Sequence, residues 1–352
     1  MGIMNIIMMV IINRWCATGS GHIPIASLKA RSDMKRREMM KLAALAVLLP
    51  SMPGLAKANP ESKAALRYRV FTAIRPGRDV PPGHLPPGKE SLKWIANSAT
   101  LISGERDAVL VDTFMTVEQC SGLADAIVAS GKTLKAIYVT HGHPDHFFGL
   151  KVLQDRFPNA QALATREVVA KMRLQITSEK LDDRRKQFPG LPDVISIANP
   201  LEGNEIDLEG NKLVVVRVGH TDTDDTTCLH VPSIGLVVAG DVVYKGIHPF
   251  LSESNRQTRL EWIAALDKID ALKPSAVVAG HKIPGNDDSP RHVEETRQYI
   301  RDFIRLNDAT KTAAELYDKM LELYPNRVNP GWALWSSARA VKPPSQAAGN
   351  TQ

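Results

Sequence analysis

Four strand-like segments of this chain end in side chains that bind metals, and that recurrence narrows what it can fold into. KAIYVT (Lys135 to Thr140) is rich in β-branched and aromatic residues, reads as a buried strand, and runs directly into His141-Gly142-His143-Pro144-Asp145-His146. LVVVRVGH (Leu213 to His220), GLVVAGD (Gly235 to Asp241) and SAVVAGH (Ser275 to His281) each close on a glycine followed by His or Asp. Such endings can all line one edge of a layered sheet, where glycines allow close backbone approach. The chain has ten histidines, and three of them fall within Thr140 to His146, a density that surface polarity does not account for.

After that motif, Phe147, Leu150, Leu153 and Phe157 recur at helical spacing, so the cluster sits on a strand-to-helix turn. Gly142 lets the backbone bend without a Cβ clash, and Pro144 suits the entry to a helix. In extended chain His141 and His143 point the same way, whereas Asp145 and His146 diverge from them at the helix start. That predicts two metal positions rather than one. Imidazole and carboxylate ligands suit Zn²⁺.

The order HxHxDH, then His, Asp and His resembles the metallo-β-lactamase superfamily of dinuclear hydrolases. The likeness runs from about Leu92, with SATLISGERDAVLVDT resembling the opening strands, to about Gly285. It implies an α/β fold, an αββα sandwich carrying the metals at one edge. By the same resemblance His141, His143 and His220 hold one Zn²⁺, Asp145, His146 and His281 hold the other, and Asp241 bridges them; iron and manganese are the alternative metals. Two departures stand out. The fourth ligand is followed by Thr-Asp-Thr-Asp-Asp where the family often has Thr-Pro-Gly, and Asp241 replaces the Cys or Ser usual in true β-lactamases.

Two such metals, about 3.5–4 Å apart, would lower the pKa of a bridging water towards ~7 and polarise a carbonyl. Asp145 would orient the nucleophile as well as bind metal. The expected activity is hydrolysis of a small-molecule ester, lactone or lactam. The alternatives are a thioester hydrolase of the glyoxalase type, a mononuclear iron enzyme resembling the persulfide dioxygenases, and a binding or relay protein without turnover. Tyr244, in GDVVY, resembles the tyrosine with which N-acyl homoserine lactone lactonases donate to the substrate carbonyl; its other reading is a core tyrosine. His248, in GIHPF, reads as a loop histidine with substrate contact as the alternative, and His230 and His292 read as structural.

The net charge of +6 raises nucleic acid as a partner, but its location removes that reading. Residues 1–58 hold eight Lys/Arg and two Asp/Glu, which leaves 36 of each in the rest of the chain. The stretch MKRREMMKLAALAVLLPSMPGLAKA from Met34 has a charged head, a short apolar run and Ala56-Lys57-Ala58, the three regions of a secretory signal. The run Leu42 to Leu49 is too short to span a bilayer. Arg36-Arg37 fits either a twin-arginine signal or a general secretory one. The expected organisation is residues 1–58 as an upstream extension plus signal with the true start at Met34, and 59–285 as the catalytic domain. Residues 286–341 follow as a C-terminal helical extension and 342–352 as a disordered tail. Within the catalytic domain, His84 lies in a Pro/Gly-rich loop and reads as surface, and residues 166–205 insert a charged helical segment that reads as a solvated covering helix, with one wall of the site as the alternative. Asn329-Pro330-Gly331 breaks the helical pattern of the extension. A periplasmic or secreted protein with a small-molecule substrate and no membrane span after cleavage follows from the leader. Cys120 and Cys228 form no disulfide framework and read as packed small residues.

Overall fold

The computed structural model describes residues 65–75, 95–285 and 287–343. The expected leader, the Pro/Gly-rich loop with His84 and most of the expected tail lie outside the described residues. One sheet has the order β1 (Arg67–Arg75), β2 (Ile95–Ser103), β3 (Asp107–Val111), β4 (Thr133–Tyr138), β5 (Gln161–Ala164) and β6 (Asn199–Pro200). In the other, β7 (Glu205–Leu208), β8 (Asn211–Gly219), β9 (Thr226–Val231), β10 (Leu236–Lys245) and β11 (Ala276–Lys282) run in that spatial order.

Alternation along the strands sorts the apolar residues into three layers. Val109, Val111, Ala136 and Tyr138 of the first sheet face Leu213, Val215, Leu229, Val238 and Val278 of the second in a shared core. Leu110 and Ile137 point the other way, onto α1 (Val117–Ala129) and the helices that follow the histidine motif. Those are α2 (Pro144–Phe147), α3 (Leu150–Arg156) and α4 (Arg166–Gln175). On the far side, Val237, Ala239, Val277 and Ala279 carry Trp262, Ile300, Phe303 and Leu316. These come from α6 (Arg256–Ala271), α7 (Arg291–Ala309) and α8 (Ala313–Leu323). The result is the αββα sandwich that the sequence predicts, with C-terminal helices added to one face. Cys120 and Cys228 are free, buried and in opposite outer layers, packed as apolar residues.

One local expectation needs correction. The helical run after the histidine motif is broken at Phe148 and Gly149 into α2 and α3. The charged insert is two helices, α4 and α5 (Ser178–Gln187), and α5 buries none of its residues. The helical pattern does break before Asn329-Pro330-Gly331: α8 stops at Leu323, and a π-helical turn, Pro330–Leu334, then leads into α9 (Trp335–Val341). Among the described residues no helix is long and apolar enough to cross a membrane.

Candidate metal centre

The ends of β4, β8, β10 and β11 converge at one edge of the sandwich, and the glycines are what let them meet. A Cβ on Gly240, which sits at φ +54, would lie 2.5 Å from Thr140 Oγ1, beside His141. A Cβ on Gly280 would lie 2.2 Å from Asp241 Oδ1. Larger residues at either position would push the strand ends apart.

Two sets of donors gather there, each with its atoms within 4.8 Å of one another. His141, His143, Asp222 and Asp241 form one; Asp145, His146 and His281 form the other. Asp241 stands between them, with Oδ1 3.2 Å from His146 Nε2, and Oδ2 3.1 Å from His281 Nε2 and 4.0 Å from His141 Nε2. Six of the seven residues expected to hold metal are thus in the two sets. His220 is in neither, and Asp222 joins the first set in its stead, Oδ2 lying 2.6 Å from His143 Nδ1 and 3.6 Å from His141 Nε2.

The residues around the imidazoles fix which nitrogen is free to bind a cation. Thr140 Oγ1 donates to Asp112 Oδ2 (2.8 Å) and so accepts from His141 Nδ1 (3.0 Å). His146 Nδ1 meets Asp112 Oδ2 at 3.0 Å, and His281 Nδ1 donates to the Ala96 carbonyl at 2.6 Å. His143 is turned round, with Nε2 held by Glu253 Oε1 at 3.2 Å. His220 Nδ1 is held by Asp224 Oδ1 at 2.7 Å. On each ring the other nitrogen faces the centre, donating to a carboxylate while it holds a proton and able to bind a cation once that proton is lost. His141 Nε2, His146 Nε2 and His220 Nε2 are buried with no hydrogen-bond partner. Buried polar atoms left so are costly, and a bound cation is one way to satisfy them. The donor set fits metal ions.

Charge supports the same reading. Burial opposes ionisation of Asp241, but the His281 and His146 rings outweigh it and hold its carboxyl well below the ordinary range. Burial likewise works against charge on His281, yet Asp241 and Asp145 raise its pKa to about 9. Protons on the rings offset the carboxylates here, and divalent cations can take their place, releasing those protons.

Asp112, Asp222, Asp224 and Glu253 escaped the sequence reading. The departure of His220-Thr-Asp-Thr-Asp-Asp from Thr-Pro-Gly was the available signal for Asp222 and Asp224. Asp112 sits at φ +61 directly after β3, a strained position. Nothing in the sequence marks Glu253.

A cavity of about 350 Å³ opens on the centre. Asp145, Asp241 and His281 line its floor, and Tyr244, His248 and Phe250 stand beside them. Tyr244 is buried, stacks on His281 with centroids 5.2 Å apart at 9°, and donates its hydroxyl to Asp241 Oδ2 at 2.6 Å. His248 reaches this cavity, whereas His292 is tied to Glu295 on its own helix at 3.1 Å.

A family profile described as Metallo-beta-lactamase superfamily matches residues 92–281. No curated protein gives a significant match. Among solved structures, a metallo-beta-lactamase family protein from Thermus thermophilus is similar at 20% identity and a TM-score of 0.49, covering 77% of this chain and 91% of that one. A metallo-beta-lactamase from Pontibacter korlensis is similar at 17% identity and a TM-score of 0.47, covering 67% of this chain and 100% of that one.

Proposed function

We propose that this chain, which belongs to the metallo-beta-lactamase superfamily, is an exported hydrolase with two metal positions, acting on a small-molecule ester or lactone. The observation that carries this reading is the set of anchored imidazoles, whose free nitrogens and three carboxylates fall into two groups around Asp241. Two groups favour two metals over the single iron of a persulfide-dioxygenase-like enzyme. Zn²⁺ suits these ligands, with manganese or iron as the alternatives.

Metals held by these residues would supply an activated water and a polarised carbonyl. The chain's own groups do the rest. Asp145, whose Oδ2 lies 3.4 Å from His281 Nε2 and which lines the cavity, orients the water and accepts its proton. Tyr244, whose hydroxyl bonds Asp241 Oδ2, donates to the carbonyl oxygen as charge develops there, exchanging that bond for one to substrate. The walls exclude bulk water and hold the acyl group. Export rests on the leader: a basic head, a short apolar run and Ala56-Lys57-Ala58.

Metal content of the purified protein, followed by a panel of aryl esters, lactones, β-lactams and thioesters, tests the reading. Two metals per chain and turnover of an ester or lactone are expected. One iron, or no turnover on the panel, overturns it. An exported form whose first residue is Asn59 would bear out cleavage after Ala58, and one beginning upstream of Lys57 would refute it.

A further inference from the structure

Beside the metal ligands the cavity has an aromatic wall, and it is assembled from three separated parts of the chain. Phe250 lies between β10 and α6, Phe188 ends the insert after α5, and Trp332 comes from the π-helical turn in the C-terminal extension. Phe250 and Trp332 are nearly parallel, with centroids 6.4 Å apart at 13°. Phe188 meets Trp332 edge-on at 5.9 Å and 78°, and His143 meets Phe250 in the same way at 5.9 Å and 84°. These are favoured aromatic geometries, so the rings are mutually braced and present flat apolar surface to the cavity.

His248 supplies a polar point on this wall. Its side chain is buried, lines the cavity, and has Nδ1 2.9 Å from Tyr299 Oη. Its Nε2 is buried with no hydrogen-bond partner. Burial and then the charge of Arg327 outweigh a backbone hydrogen bond to Arg327 and hold the imidazole pKa down to about 3, so the ring is neutral near pH 7 and carries one proton. A buried phenol needs an acceptor, and among the described residues the one hydrogen-bond partner of Tyr299 Oη is His248 Nδ1. The proton of His248 is then on Nε2, an unmatched donor at the cavity wall. The backbone reinforces the position: His248 N donates to Val328 O at 3.0 Å, tying it to the extension that carries Trp332.

We propose that this wall is a recognition subsite for a planar, aromatic or conjugated group bearing a hydrogen-bond acceptor, which lies against Phe250 and Trp332 and accepts from His248 Nε2. The inference rests on the hydrolase reading above for its claim about substrate: the enzyme's esters or lactones carry such a group. Phe250 packs on the ligand His143, but neither Trp332 nor His248 belongs to the metal donor sets, so these two can be substituted with the donors left in place.

Binding of two neutral probes to the metal-loaded protein tests it, using benzamide and cyclohexanecarboxamide, which share an acceptor and differ in planarity. Benzamide is expected to bind about tenfold more tightly, and Trp332→Ala to remove most of that preference. Tyr299→Phe keeps both rings but frees the His248 tautomer, and should weaken benzamide about 3- to 10-fold. His248→Gln serves as the second variant, with loss of binding expected and thermal unfolding reporting that it folds. Equal affinities for the two probes, or a preference untouched in Trp332→Ala, overturn the subsite. Hydrolysis of phenyl- and cyclohexyl-bearing methyl esters at equal kcat/KM also overturns it, while leaving the hydrolase reading intact. Benzamide preference without turnover of any ester, lactone or thioester supports the subsite and overturns the hydrolase reading.

Discussion

The metal centre and the aromatic wall line one cavity of about 350 Å³, yet they are built in opposite ways. The centre hangs on strand ends from both sheets, and nearly every imidazole in it is pinned by an acceptor behind it: Asp112, Asp224, Glu253 or the Ala96 carbonyl. The wall is made from an inserted helix, a loop and a C-terminal turn. One of its elements, α5, buries no residue at all. Chemistry that needs fixed geometry sits on the strand ends, while recognition draws on a loop, an insert and a C-terminal turn that pack onto the outer layers of the core.

The largest expected effect falls on the side of the centre. Asp241→Ala removes the carboxylate that approaches His146, His281 and His141 together, and with it the screening between two cations. Loss of metal from both positions and a rate fall of about 10³ or more should follow, since metals supply several kcal/mol to such reactions. Full occupancy by elemental analysis of the variant would break the bridging assignment.

The next comparison lies within the first donor set. His220 has a buried, unpartnered Nε2 with Asp224 behind its Nδ1, whereas Asp222 places Oδ2 against His143. Of Asp222→Asn and His220→Ala, the one that removes a ligand should leave one metal per chain instead of two. Cobalt-substituted protein reports the same event as a changed absorption spectrum. If both variants keep two metals and the parent spectrum, neither residue is a ligand and the first position must be drawn differently.

Tyr244→Phe probes the boundary between the two regions, because this residue touches Asp241 and lines the cavity. Metal content and fold should stay as they are, and kcat on a carbonyl substrate should fall by about 10²–10³, the usual consequence of losing an oxyanion donor. An unchanged kcat with chemistry rate-limiting would return Tyr244 to a purely structural role, its hydroxyl spent on Asp241.

How much of this was legible in the sequence follows the same division. His141, His143, Asp145, His146, Asp241 and His281 could be read because each ends or follows a strand whose apolar run is itself visible, and the glycines before Asp241 and His281 mark the close approach. The layering was implied by the likeness to the metallo-β-lactamase superfamily. Asp112 was not legible as a partner of His146, since their contact joins residues 34 apart in sequence and depends on how β3 lies beside β4. Trp332 and Phe250 are further apart still. Their stacking arises because the chain after Pro330 turns back into a π-helical turn instead of leaving the domain, which no local pattern announces. His248 looked like a loop histidine because the residue that holds it, Tyr299, belongs to α7.

The smallest expected effect tests whether α5 is as loosely held as its lack of buried residues implies. Lys180 is exposed on α5 and lines the cavity together with Asp183 and Arg184 from the same helix. Arg184 is braced by Gln175, with its guanidinium 5.8 Å from the ring centre of Phe148, so its removal would disturb packing as well as the cavity. Lys180 has no such buried attachment, and substitutions at such positions usually change stability by no more than about 0.5 kcal/mol. Lys180→Ala should therefore shift Tm by roughly 1–2 °C at most. An exposed charge near substrate is worth about 0.2–1 kcal/mol, so KM for a charged ester should move by about 1.5- to 5-fold, with kcat and metal content unchanged. A Tm loss of several degrees would show that α5 is coupled to the sandwich after all. A change in metal content would go further, because Lys180 could reach the donors only by holding Glu253, whose carboxylate accepts from Thr223 and holds His143. In that event the wall and the centre would be one unit, and recognition could not vary without altering the metal site.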